Sequence, residues 1–219
     1  PLTPPYDPDA LVGMLDKSNM LRQCIEAYVT NIAMYGWEVA PIAEGAEMDD
    51  AEKEELQSLI DSPNCDESLT LLHARVVRGY EGMGYAFAEV IRDRKKRPTI
   101  LRGVRGSTMR LCPRDPELVA VSYDVARGTR VSYITEYRRF RIYRQQTGGQ
   151  YVYFKEFGDP RPLNRITGRF ATKAEPVTPD NEATELIHFR QDSEDEYGVP
   201  RWIAQIPSVM GSREAEEVN

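Results

Sequence analysis

The sequence predicts an α+β fold: N-terminal helices, then an antiparallel β-rich region with long hairpins, then the start of a further helix. Three observations predict it. Apolar residues recur at three- and four-residue spacing up to Gly79, the period changes to two after Gly84, and helical spacing returns only beyond Tyr197. At 219 residues the chain is long enough to bury a substantial core.

From Ala10 to Tyr35, Leu11, Met14, Leu15, Met20, Leu21, Cys24, Ile25, Tyr28, Val29, Ile32 and Ala33 keep one apolar stripe. Ser18 or Asn19 caps its second part, and Gly36 stops it. Trp37 to Ile42 reads as a short strand with Trp37 and Val39 on one face, making Trp37 a core anchor. Asp49 to Ile60 follows as an acidic helix with Leu56, Leu59 and Ile60 as a narrow apolar face. The run Asp61 to Asp66 has turn chemistry, and Glu67 to about Gly79 reads as another helix, using Leu69, Leu72, Val76 and Val77.

Gly84 to Arg92, the polar turn Asp93 to Arg97 with Pro98, and Thr99 to Val104 predict a β-hairpin. A third strand runs from Thr108 to Cys112 and ends at Pro113. Leu118 to Tyr123 and Thr129 to Thr135 form a pair around an Asp124 to Gly128 turn. The next hairpin is Tyr137 to Gln145 with Gln150 to Phe157, around Thr147, Gly148 and Gly149. Alternation places Tyr137, Arg139, Arg141 and Tyr143 on one face, with Arg138, Phe140, Ile142 and Arg144 on the other. Arginine on both faces predicts a twisted ribbon that projects from the body or packs on another subunit. Arg138, Arg139, Arg141, Arg144, Tyr137 and Tyr143 are therefore candidate subunit-interface or DNA-facing residues: Arg and Tyr are enriched at protein interfaces, and the same types stack on bases and neutralise phosphates.

Gly158 and Pro160 set the loop geometry after that hairpin, and Glu185 to Phe189 is the last strand. Tyr197 to Pro200 reads as a hinge, with Trp202 as a second core anchor. Ile203, Ile206, Val209 and Met210 then start a helix, and Ser212 opens a run of helix formers to Val218 that no glycine or proline closes. The chain accordingly reads as a piece of a longer protein. Its expected parts are a mainly helical region (1–83), a β-rich hairpin region (84–191), and a turn with the start of a helix (192–219).

Catalytic constellations are lacking. His73 and His188 lie far apart, and Cys24, Cys65 and Cys112 show no CxxC spacing. No phosphate loop occurs, and Gly103, Gly106 and Ser107 match no dinucleotide fingerprint. The expectation is no enzyme, no cofactor and no metal, and no apolar run is long enough for a membrane span. The net charge of −7 is segregated: residues 1–70 carry 3 basic and 15 acidic side chains, residues 71–170 carry 21 and 9, and residues 171–219 carry 4 and 11. Either this gives a positive surface to one partner and a negative surface to another, or to a copy of itself in a ring, or it is arginine used for solubility in a β region flanked by acidic helices.

Read in order, several segments resemble the portal proteins of tailed bacteriophages and prophages, in the PBSX-type branch. They are Ser18 to Trp37 (SNMLRQCIEAYVTNIAMYGW), Gly84 to Asp93 (GYAFAEVIRD) with Ser107 to Arg110 (STMR), Tyr153 to Arg161 (YFKEFGDPR) with Thr167 and Gly168, and Ile187 to Phe189 with Tyr197 to Trp202 (YGVPRW). One departure is at Gly82, Met83 and Gly84, where many relatives have a Gly-Asn-Ala/Gly step. The resemblance implies a structural protein of the virion, assembled in the bacterial host cytoplasm as a ring of about twelve copies at the capsid portal vertex. It also implies partners: the terminase large subunit, the major capsid or scaffold protein, a head-completion protein, and double-stranded DNA in transit. The segment would be the wing of such a protein. The alternative is a nucleic-acid-binding module that uses the Arg/Tyr ribbon.

Overall fold

The structure, a computed structural model, describes residues 1–41, 48–127 and 130–211. It is α+β, as the sequence predicts. Helix α1 (Pro8–Lys17) starts at Asp7, whose carboxylate accepts the Asp9 N–H, and helix α2 (Asn19–Ala33) starts at Ser18. The stripe is therefore two helices joined at one residue: the Ser18 N–H donates to the Met14 carbonyl, closing α1, while its hydroxyl accepts the Leu21 N–H, opening α2. Asp49 caps α3 (Asp50–Asp61), a helix with no buried residue. Ser68 caps α4 (Leu69–Met83), and α4 ends at Gly84 in the left-handed conformation.

The strands are β1 (Tyr85–Arg92), β2 (Pro98–Val104), β3 (Met109–Arg114), β4 (Val119–Arg127), β5 (Arg130–Arg138), β6 (Arg141–Thr147), β7 (Gln150–Glu156) and β8 (Glu185–Arg190). Six form one sheet in the order β2-β1-β8-β7-β6-β3. Neighbours are antiparallel except β7 and β8, which are parallel at Lys155–Glu185 and Glu156–Leu186. The long 157–184 connection makes that crossover possible. Pro113 does not end β3: the strand passes through it with a shifted register between Leu111 and Arg114, tolerated because β3 is an edge strand.

Two cores result. Tyr85, Phe87, Met109, Leu111, Tyr143, Phe154, Leu186 and Tyr197 pack with Met83 against the sheet. Leu21, Ile25, Val29 and Ala33 of α2 pack on Ala74 and Val77 of α4, with Trp202 and Val209 laid against them. The i, i+4 spacing of the four α2 residues puts them on one helix face.

Three expectations change. Residues 37–41 form no strand, and Ile42 lies outside the described residues; Trp37 is 49% exposed, its ring 5.1 Å from His73, so it is not a core anchor. Among the described residues no strand pairs with this segment, and Gly36, at φ 82°, follows the end of α2 in the left-handed conformation. Second, β4 continues through Asp124 to Arg127 and so replaces the first part of the expected turn; Gly128 and Thr129 are outside the described residues. Third, the Tyr137 to Gln145 strand is broken at Arg139 and Phe140. Residues 206–211 are helical, and the run from Ser212 to Asn219 lies outside the described residues.

Candidate functional site

The break at Arg139–Phe140 rearranges the predicted Arg/Tyr face. Phe140 is fully buried and pulls the chain from one sheet into another. Tyr137 and Arg138 stay in β5, which pairs only with β4 over nine register positions, from Val119–Arg138 to Arg127–Arg130. Arg141 and Tyr143 enter β6 in the main sheet and are 2% and 1% exposed. Tyr143 stacks edge-on against Phe87, and Arg141 donates to the Glu196 carboxylate. Burial makes these two unavailable to any partner, because the sheet face they occupy is the core face.

What remains outward is Tyr137, 70% exposed, together with exposed Arg138 and Arg139. The Arg138 guanidinium lies 5.2 Å from the Phe140 ring centre, and Arg144, half-buried, lies 4.3 Å over the Tyr151 ring. The ribbon that stands apart is thus β4–β5, whereas the expected one, β6–β7, is built into the main sheet. Tyr133, 72% exposed, joins Tyr137 on it; the sequence reading missed Tyr133 because it ended the aromatic pattern at the wrong strand.

A second locus joins the segments that carry the family resemblance. Gly84 and Gly198 have φ of 83° and 86°. A Cβ on Gly84 would lie 2.5 Å from the Val199 carbonyl carbon, and one on Gly198 would lie 2.5 Å from the Gly84 carbonyl oxygen. The turn after the last strand therefore crosses the end of α4 backbone to backbone. Around this crossing, the Gln191 N–H donates to the Gly84 carbonyl at 2.8 Å and the Trp202 indole to the Gly82 carbonyl at 3.2 Å. Arg201 pairs with Glu81, a carboxylate only 8% exposed. Side chains from the final segment thus satisfy α4's C-terminal groups.

Tyr197 is 1% exposed. Its hydroxyl accepts the Leu111 N–H at 2.9 Å and donates to the Leu2 carbonyl at 3.0 Å. Leu2 in turn donates to the Leu111 carbonyl, so one phenol ties the N-terminal segment and the β3 edge to the crossing. The residue expected as a hinge is a fixed rivet.

The YFKEFGDPR segment makes an ion cluster around a buried carboxylate. Asp159, 1% exposed, takes a two-pronged contact from Arg161, at 3.0 and 2.8 Å. Arg161 also reaches Asp115 at 2.8 Å and Glu117 at 3.1 Å, and lies 3.9 Å from the Phe170 ring centre. These carboxylates raise the Arg161 pKa still further, Asp159 first. Glu185 receives both prongs of Arg92, at 2.9 and 3.0 Å, and the Gly158 N–H. Gly158, with φ 87°, supplies the left-handed step; Pro160 is exposed beside Asp159. Ionic contacts of this kind fix loop geometry.

His188 lies in β8 as the sequence suggests, stacked on Phe87 at 4.6 Å. Its Nε2 is buried without a hydrogen-bond partner, and burial, followed by the Arg141 charge, lowers its pKa to about 3. His73 stands apart on α4. Among the described residues no group of His, Cys, Asp and Glu is placed to hold a metal ion, and no helix is long and apolar enough to cross a membrane.

Comparison with known proteins places these loci in context. No family model matches the chain. It is 34% identical over 228 aligned residues, all of this chain, to the uncharacterized protein YqbA of Bacillus subtilis (strain 168), covering 44% of that protein. It is 34% identical over the same length to the phage-like element PBSX protein XkdE of that organism, covering 45% of it. The chain thus spans less than half the length of the curated relatives it matches. Among solved structures, it shares its fold with a chain in the neck of an empty GTA particle computed with C6 symmetry, at TM-score 0.60 and 15% identity, over 98% of this chain and 46% of that one. A chain in the neck of a native GTA particle computed with C12 symmetry is similar at TM-score 0.58 and 13% identity, over 98% of this chain and 45% of that one. The chain is therefore related along its whole length to a protein of a phage-like element, and folds like chains of particle necks.

Proposed function

We propose that this chain is the wing of a phage portal protein, a structural component of a head vertex through which double-stranded DNA is packaged and ejected. The observation that carries this reading is the whole-length relation to the PBSX protein, taken with a fold held in common with chains of particle necks solved in six- and twelve-fold symmetry. In the proposed assembly, about twelve copies form a ring in the virion; terminase docks on it, and the capsid or scaffold protein and a head-completion protein contact it. The helical part (1–83) and the β-rich part (84–191) form the wing, and residues 192–219 lead toward the remainder of the ring. The role is structural and not enzymatic.

Physical chemistry supports the assignment. A structural ring element needs rigid joints, and the glycine crossing, the Tyr197 rivet and the Arg161 cluster each tie segments distant in sequence. A chain of net charge −7 is also suited to a conduit, since every neutralised phosphate would add salt-dependent affinity and therefore friction.

The test is to express the full-length protein and measure its mass and symmetry by native mass spectrometry and electron microscopy. A ring of about a dozen copies is expected. A monomer that shifts duplex DNA at low salt would favour the nucleic-acid-binding alternative.

A further inference from the structure

The β4–β5 ribbon lacks a core of its own. Among the described residues, neither strand makes extended contact with another named element, and the pair is joined by its own ladder alone. A two-stranded ribbon on its own is marginally stable in water and needs a surface to pack on. Its exposed side chains state the chemistry of that surface. Tyr133 and Tyr137 are 72% and 70% exposed, and Arg138 and Arg139 flank them. Of the ribbon's acids, Glu136 accepts a hydrogen bond from the Tyr123 hydroxyl, and Asp124 stands opposite Tyr133 in the ladder, against Arg127, Arg130 and Arg138 in the two strands. The ribbon therefore presents aromatic surface with excess positive charge.

A complementary surface exists on the same chain. From Asp49 to Asp61 there are 6 acidic residues against Lys53, on a helix with no buried residue. Asp49 is used as a cap, Glu55 pairs with Arg97 at 2.7 Å, and Asp61 accepts from Gln57. The side chains of Asp50, Glu52 and Glu54 have no partner among the described residues. Leu56, 48% exposed, adds an apolar spot for a tyrosine ring. Ribbon and helix make no extended contact within one copy.

We propose that the β4–β5 ribbon is an arm that docks on helix α3 of a neighbouring copy, with Arg138 and Arg139 facing Glu52, and Tyr133 and Tyr137 covering Leu56 one turn further along the same helix face. Two different patches meeting head to tail generate a closed ring when the rotation closes. The inference deepens the ring reading above and rests on it.

The test uses the full-length protein with Tyr137→p-benzoylphenylalanine, irradiated after assembly, with the same substitution at exposed Tyr151 as control. A cross-link from position 137 to a peptide within 49–61 of another copy is expected, and none to that peptide from position 151. In parallel, Arg138→Glu with Arg139→Glu is expected to raise the assembly midpoint concentration about tenfold, and adding Glu52→Lys to bring it back toward the parent value. Rings that form but cross-link from position 137 to any other peptide, or to DNA, overturn the docking surface and leave the ring reading standing. A protein that stays monomeric at every concentration overturns both.

Discussion

Gly84 and Gly198 occupy each other's side-chain space: a Cβ on either would lie 2.5 Å from backbone atoms of the segment carrying the other. Both have positive φ, so strain and collision act together. Gly84→Ala and Gly198→Ala should each destabilise the fold by about 2–4 kcal/mol. Gly149→Ala, at φ 81° with nothing within 4 Å, should cost only the conformational part, about 1 kcal/mol. Urea midpoints at unchanged slope measure the contrast, and equal effects at all three sites would refute it.

Tyr197→Phe removes one oxygen and leaves the Leu111 N–H and the Leu2 carbonyl without their shared partner. A loss of about 1–3 kcal/mol is expected, because a buried amide is left unsatisfied. Hydrogen exchange gives the more specific readout: protection at Leu111 should fall more than at Phe87, which lies in the same core.

The acid side of the stability profile should carry the mark of His188. Its folded pKa of about 3 lies below the ordinary 6.5, so between those values the unfolded chain binds a proton that the folded chain refuses. This contribution is complete above pH 6.5 and lost as the pH falls toward 3, with a slope of at most about 1.4 kcal/mol per pH unit. Asp115, lowered first by the Glu117 N–H, acts in the same direction but only as the pH falls below the ordinary aspartate range. His188→Phe should flatten the dependence of urea midpoints between pH 6.5 and 5. A profile identical to the parent's would remove His188 as the cause.

Two aromatic residues, Phe140 between β5 and β6 and Trp37 after α2, should differ sharply on truncation. Phe140→Ala empties a fully buried site where the chain changes sheets, and should cost about 3–5 kcal/mol. Trp37→Ala trims a half-exposed ring and should cost less than about 1 kcal/mol. Thermal unfolding of the two variants side by side decides this.

Local chemistry determined most of the element pattern. Ser18 and Asp49 mark helix starts because a side-chain oxygen can reach an unpaired N–H only a few residues ahead, whereas the fourth helix starts after Ser68, not at Glu67, and runs to Met83 rather than Gly79. The β1–β2 and β6–β7 hairpins follow from period-two runs joined by short polar or glycine-bearing turns. Two of the segments quoted from the sequence as carrying the resemblance meet in space, at Gly84 with Gly198, while the YFKEFGDPR segment reaches Asp115 and Glu117 through Arg161.

Only the tertiary structure decided which side chains are available. Alternation assigned Tyr137, Arg139, Arg141 and Tyr143 to one face, yet buried Phe140 splits the run between two sheets, leaving Tyr137 outside and Tyr143 within the core. Period two specifies relative orientation within a strand and says nothing about where a strand stops. Trp37 failed as an anchor for a related reason: hydrophobicity favours burial, but burial also requires an element to hold the ring there, and residues 37–41 form none. By itself the sequence determined the helices, most strands and the motif segments, since these depend on neighbours a few residues away. The crossing, the ion cluster and the freestanding ribbon depend on contacts between residues tens of positions apart, which no local pattern encodes.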